Sequence, residues 1–157
     1  MTCLDRVRAH GIAVTLRSLP SGMSGFANPA GITLDPEGDS RNRLFVLLHE
    51  LAHMLGHVAP LSDLIRSMGG DADAVTARKR EAEFEAEAAA FTVAAILGLE
   101  HPGARDYLLH YQASPDVLSR HLGAIQRLVQ QMLRVLGIVE GPMRPFMAQG
   151  ATHRRPA

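Results

Sequence analysis

Cysteine is nearly absent from this chain. The single copy, Cys3, excludes an internal disulfide and a cysteine-based zinc site within the chain, and it fits a reducing compartment. Tryptophan is missing altogether and aromatic residues make up only 4%, so a core must come from Leu, Val, Ile, Ala and Met. Stacking platforms for bases are correspondingly few. No excess of either charge exists: 16 Lys and Arg balance 16 Asp and Glu, which argues against a dedicated nucleic-acid binder. The one basic cluster, Arg78-Lys79-Arg80, runs straight into four alternating glutamates, the usual pattern of a solvated helix face. Long apolar runs are also lacking. The longest, residues 44–48, is far too short to span a membrane, and the opening MTCLDRVRAH is charged where a signal peptide needs an apolar stretch. Together these absences predict a cytoplasmic protein that binds neither membrane nor nucleic acid directly.

What is present suits one compact domain over residues 1–140, with 46% apolar residues overall. Residues 141–157, rich in Gly, Pro, Arg and Met without periodicity, read as a flexible tail. Residues 4–10 form a short helix ended by Gly11, and 12–16 and 31–35 have strand character. Between the strands, Pro20 to Gly25 and Asn28-Pro29 read as turns. Ser40 is placed to cap a helix from Arg41 to about Val58, which Pro60 breaks. After one or two turns over residues 61–68, a long Ala- and Glu-rich helix spans 74–99 and is closed by Gly98 and Pro102. Helices over 104–111 and 115–136 follow, the last capped by Ser114 with Pro115 at its first position.

The helix over 41–58 is apolar on nearly every side and therefore buried, which makes its polar residues conspicuous. His49 and His53 are spaced i, i+4 and project from one face, so two neutral imidazoles can take two positions of a tetrahedral Zn²⁺. Glu50 is rotated away from that pair yet remains close to the ion. It is placed to act as general base on a water whose pKa the metal lowers from 15.7 to about 7. A catalytic zinc needs a third protein ligand. His57 lies about 12 Å along the helix axis from His49, too far to serve. The glutamates of Glu81-Ala82-Glu83-Phe84-Glu85-Ala86-Glu87 are the better source. Glu87 shares a core-facing stripe with Phe84 and Phe91 and is the preferred ligand, with Glu83 in reserve. Glu81 and Glu85 suit a solvated acidic face, and Ala86 with Ala88 to Ala90 would let this helix approach the motif helix closely.

Leu47-Leu48-His49-Glu50-Leu51-Ala52-His53-Met54-Leu55-Gly56-His57, with Glu87-Ala88-Ala89-Ala90-Phe91 some thirty residues on, resembles the ImmA/IrrE-type zinc metallopeptidases. It is also similar to the peptidase domains of ArdC-like antirestriction and mobile-element proteins. The resemblance covers about residues 31–99, and on the ArdC-like side it extends through Tyr107 to Tyr111 and the last helix. It implies a minimal zincin-like α+β fold, mostly helical, with a small N-terminal sheet packed on the motif helix and a gluzincin-like glutamate ligand downstream. It further implies Zn²⁺ as cofactor and a protein substrate such as a transcriptional repressor. Tyr107, His110 and Tyr111 share one segment, and Tyr111 and His110 are candidates for stabilising an oxyanion. Ile32 to Leu34 is the candidate edge strand for aligning an extended peptide. His10, His101, His121 and His153 show no ligand spacing. Two rival readings compete: a non-catalytic binding module that keeps the fold for protein contacts, and a latent peptidase covered by its own tail.

Overall fold

In a computed structural model, residues 1–67, 71–99 and 115–140 are described, the side chain of Leu64 excepted. The fold is α+β, mostly helical, with one small sheet. Helix α1 (Cys3–Ala9) begins at a capping box, in which Thr2 and Asp5 satisfy each other's backbone donors. Strands β1 (Val14–Leu16), β2 (Gly25–Asn28) and β3 (Gly31–Leu34) form a mixed sheet of order β1-β3-β2. β1 runs parallel to β3, and β2 runs antiparallel to it. β2 arises inside the stretch whose Gly, Pro and Asn content predicts turns. Its backbone is held by pairing with β3, and Asn28 Oδ1 accepts from Ala30 N–H to close the hairpin. Tertiary pairing thus overrides weak local propensity.

Helix α2 (Ser40–Gly56) is the centre of the molecule. Its N-cap is Asp39, whose carboxylate accepts from Arg41 N–H, so Ser40 is the first helical residue instead of the cap. Phe45, Leu47, Leu48, Leu51, Ala52 and Met54 are buried around its circumference, because α2 packs on β2, β3 and each later helix among the described residues. Pro60 lies in the first turn of α3 (Val58–Ser67), where the proline's missing N–H has no helical partner to lose. The break after α2 is thereby a bend into a second helix. Helix α4 (Ala72–Ile96) is capped by Asp71, and Gly98 at φ 73° ends it, with Leu99 N–H donating to Ala94 O. Ala86, Ala89 and Ala90 are fully buried, so backbones α2 and α4 approach closely. Helix α5 (Pro115–Val135) covers the other side of α4. No single helix among the described residues is long and apolar enough to cross a membrane.

Candidate metal centre

The antiparallel approach of α2 and α4, with Phe45 opposite Phe91, His49 opposite Glu87 and His53 opposite Glu83, sets the site. His49 and His53, one turn apart, point toward α4 and bring their Nε2 atoms to 3.0 Å of each other. From α4, one oxygen of Glu83 lies 3.3 Å from His49 Nε2, and the other lies 3.3 Å from His53 Nε2. A tetrahedral zinc with bonds near 2.0–2.1 Å requires ligand atoms about 3.3 Å apart. The His49, His53 and Glu83 donors therefore have the spacing of three corners around one ion, and they form the group among the described residues that could hold a metal. His49, His53 and Glu83 line a cleft of about 510 Å³ that is also bordered by Gly25, Phe26 and Ala27 of β2 and by Val58, Leu61 and Lys79.

Glu87 is buried on the core-facing stripe its spacing predicts, but it meets His49 at a different nitrogen from the one Glu83 meets. Its Oε2 lies 2.7 Å from His49 Nδ1, on the far side of the ring from the Nε2 cluster. The carboxylate that reaches both Nε2 atoms is that of Glu83. The physical reason is exposure: the core-facing stripe marks the buried Glu87, with a side chain 9% exposed, whereas an open site lies at the rim of the helix pair, where Glu83 is 46% exposed. A carboxylate on the remote nitrogen fixes the tautomer and orientation of a ligating imidazole.

Charge follows the geometry. Burial pushes the His49 pKa down, but hydrogen bonds to Glu83 and Glu87 and the nearby Glu50 charge outweigh it and hold it at about 10. Without a metal, His49 is thus an imidazolium clamped between two carboxylates. Hydrogen bonds from His49 and His53 hold Glu83 well below the usual carboxylate range. Glu50 is 8% exposed and lines the same cleft. Its burial pushes its pKa up, against the pull of His49, His53 and the backbone N–H of Ala27.

Beyond His53 the polar groups continue. His57 Nδ1 lies 3.2 Å from His53 Nδ1, and His57 Nε2 lies 2.8 Å from Glu85 Oε2. Glu85 Oε1 lies 2.8 Å from His121 Nδ1. Glu85 is therefore buried, 4% exposed, and not part of a solvated face, whereas Glu81 is exposed and pairs with Arg78 at 2.9 Å as that face predicts. The single-stripe argument misses Glu85 and His121 because α4 is covered on two sides, by α2 and by α5. Ile32 to Leu34 is the central strand, with Ile32 N–H donating to Ala13 O. The free edge beside the cleft belongs to β2. Tyr107, His110 and Tyr111 lie outside the described residues, as do Ser114 and residues 141–157.

An His-Glu-x-x-His helix with a downstream glutamate converging on both imidazoles defines a metallopeptidase-like site. The sequence profile of the M78 peptidases, described as the IrrE N-terminal-like domain, matches residues 7–133. The chain belongs to that family. No curated protein and no solved structure matches it significantly.

Proposed function

We propose that this chain is a zinc-dependent endopeptidase of the zincin type that hydrolyses peptide bonds of a specific intracellular protein, a DNA-binding repressor being the class the ImmA/IrrE resemblance implies. The observation that carries this reading is the convergence of His49 Nε2, His53 Nε2 and the two Glu83 oxygens at 3.0–3.3 Å beside the buried Glu50. The donor set fits Zn²⁺: two imidazoles and one carboxylate are the ligands of a hydrolytic site with an open position. Bound there, the ion would supply Lewis acidity toward a water and the scissile carbonyl.

The remaining work falls to the chain itself. Glu50 takes the proton of the attacking water, and the raised pKa that burial gives it brings the carboxylate nearer the range of an effective base. The same carboxyl then carries that proton to the leaving amine. Glu87 orients His49 through Nδ1. The free edge of β2 borders the cleft and suits main-chain pairing with an extended peptide, a role transferred here from β3. The apolar lining from Phe26, Val58 and Leu61 favours apolar side chains next to the cleaved bond. The cysteine-poor composition suits action in the cytoplasm.

Three protein donors lining a cleft beside a buried glutamate would suit a catalytic zinc better than a structural one, whose sites close with four protein ligands. The test is metal analysis of the purified full chain together with cleavage of a co-expressed repressor. One zinc per chain and loss of cleavage in Glu50→Gln, with zinc retained, support the reading. Absence of stoichiometric zinc, or undiminished cleavage by Glu50→Gln, would sink it.

A further inference from the structure

We propose that His57, Glu85 and His121 form a buried hydrogen-bonded chain that sets the tautomer of His53 and presents its Nε2 lone pair to the metal. The inference rests on the zinc reading above and concerns residues that reading leaves unused.

The direction of each hydrogen bond follows from the chemistry of its members. An ionised carboxylate only accepts. Glu85 is 4% exposed and meets two ring nitrogens at 2.8 Å, one on each oxygen. Both His57 Nε2 and His121 Nδ1 must then carry hydrogens and donate. A neutral imidazole with its hydrogen on Nε2 has a bare Nδ1 that can only accept. That bare Nδ1 of His57 faces His53 Nδ1 at 3.2 Å, so His53 must donate from Nδ1. Its other nitrogen, Nε2, lies 3.0 Å from His49 Nε2 and 3.3 Å from Glu83, and in the metal-loaded protein it would give up its hydrogen there and offer a lone pair to the ion. The polarity set at Glu85 is thus handed through His57 to the metal side of His53.

Placement agrees with this role. His49, His53 and His57 step along one face of α2 at four-residue intervals, and their rings meet edge to face at centroid distances of 4.7 and 5.2 Å. His57 is the C-cap of α2, where its backbone N–H donates to His53 O, so ring and backbone both tie it to the ligand. Glu85 is supplied by α4 and His121 by α5, and Phe84 packs against the His121 ring at 5.4 Å. Three helices therefore converge on one carboxylate. The two ligating histidines have parallel supports of different kinds: a carboxylate directly on His49, and a carboxylate acting through a second imidazole on His53.

Two measurements on the full chain test this. Long-range ¹H–¹⁵N spectra of the wild-type imidazoles should place hydrogens on His53 Nδ1 and His57 Nε2 in the zinc-loaded protein. Zinc affinity by competition with a chromophoric chelator should fall roughly 10–100-fold in His57→Phe and Glu85→Gln, the range for lost ligand-orienting partners. His57→Gln keeps an acceptor for His53 Nδ1–H and should recover part of the loss seen in His57→Phe. A hydrogen on His57 Nδ1 in the spectra overturns the inference even if every variant unfolds. So do folded His57→Phe and Glu85→Gln proteins that hold zinc as tightly as wild type. Wild type that takes up no zinc overturns the metal reading itself, and this inference with it.

Discussion

At the scale of single residues, the site divides two glutamates of similar appearance into different tasks. Glu83 and Glu87 are one turn apart on α4, yet Glu83 meets both Nε2 atoms and Glu87 meets only Nδ1 of His49. Under the proposed zinc reading, removing the first takes away a ligand, and removing the second takes away a support. Isothermal titration of zinc into Glu83→Ala should therefore show binding nearly abolished, while Glu87→Ala should retain it with affinity about 10–100-fold weaker. Equal losses would remove the distinction. His49 adds a second expectation. With its pKa held at about 10, it carries a proton in the metal-free protein at neutral pH, and a cation arriving at Nε2 must displace it. Titrations in buffers of different ionisation enthalpy should report about one proton released from His49 per zinc bound at pH 7.

At the scale of elements, the close approach of helices places the chemistry. α2 meets α4 through alanines and meets α5 through Gly56. A Cβ at Gly56 would stand 2.6 Å from Leu128 Cδ2, and Leu128 is itself buried at 4% exposed with little room to turn aside. Gly56→Ala should gain a little helix propensity but lose more to overpacking, a net cost of about 1–2 kcal/mol measurable by urea unfolding. Because His57 follows directly, the same variant should also weaken zinc binding. The strands illustrate how pairing decides an element. β1 is announced by alternation and β3 by the turn signals that flank it, whereas β2, with Gly25 and Asn28 in a turn-rich stretch, exists because β3 offers it an open edge. The role of cleft edge passes accordingly from β3 to β2.

For the whole molecule, the buried ionisable groups make stability depend on pH. His49 has its folded pKa raised from 6.5, so its contribution is complete below pH 6.5 and is lost as pH rises through about 10. Glu83 is lowered from 4.5, and Glu85 is lowered from 4.5 to about 2 because bonds from His57 and His121 outweigh its burial. Both contribute fully above pH 4.5 and lose that contribution as pH falls. Glu50, raised by burial, acts in the opposite sense and favours the acid side. The metal-free protein should therefore reach its highest thermal midpoint between about pH 4.5 and 6.5, with decline on both sides. A midpoint that climbs steadily up to pH 9 would contradict the His49 clamp.

The local pattern of residues alone determined the short strands ahead of a helical C-terminal half, the central buried helix, the i, i+4 histidine pair with its neighbouring glutamate, and the alanines that allow α4 to lie close. Each is a short-range property: helix periodicity, apolar burial and ligand spacing are written within a turn or two of chain. Only the tertiary structure decided which glutamate faces the Nε2 atoms, that β2 forms the cleft edge, and that Glu85 joins His57 to His121. Those outcomes depend on how far α4 is rotated against α2 and on a third helix covering its other side. A sequence read one element at a time contains no term for either, because a helix buried on two faces shows no single stripe from which its rotation can be read.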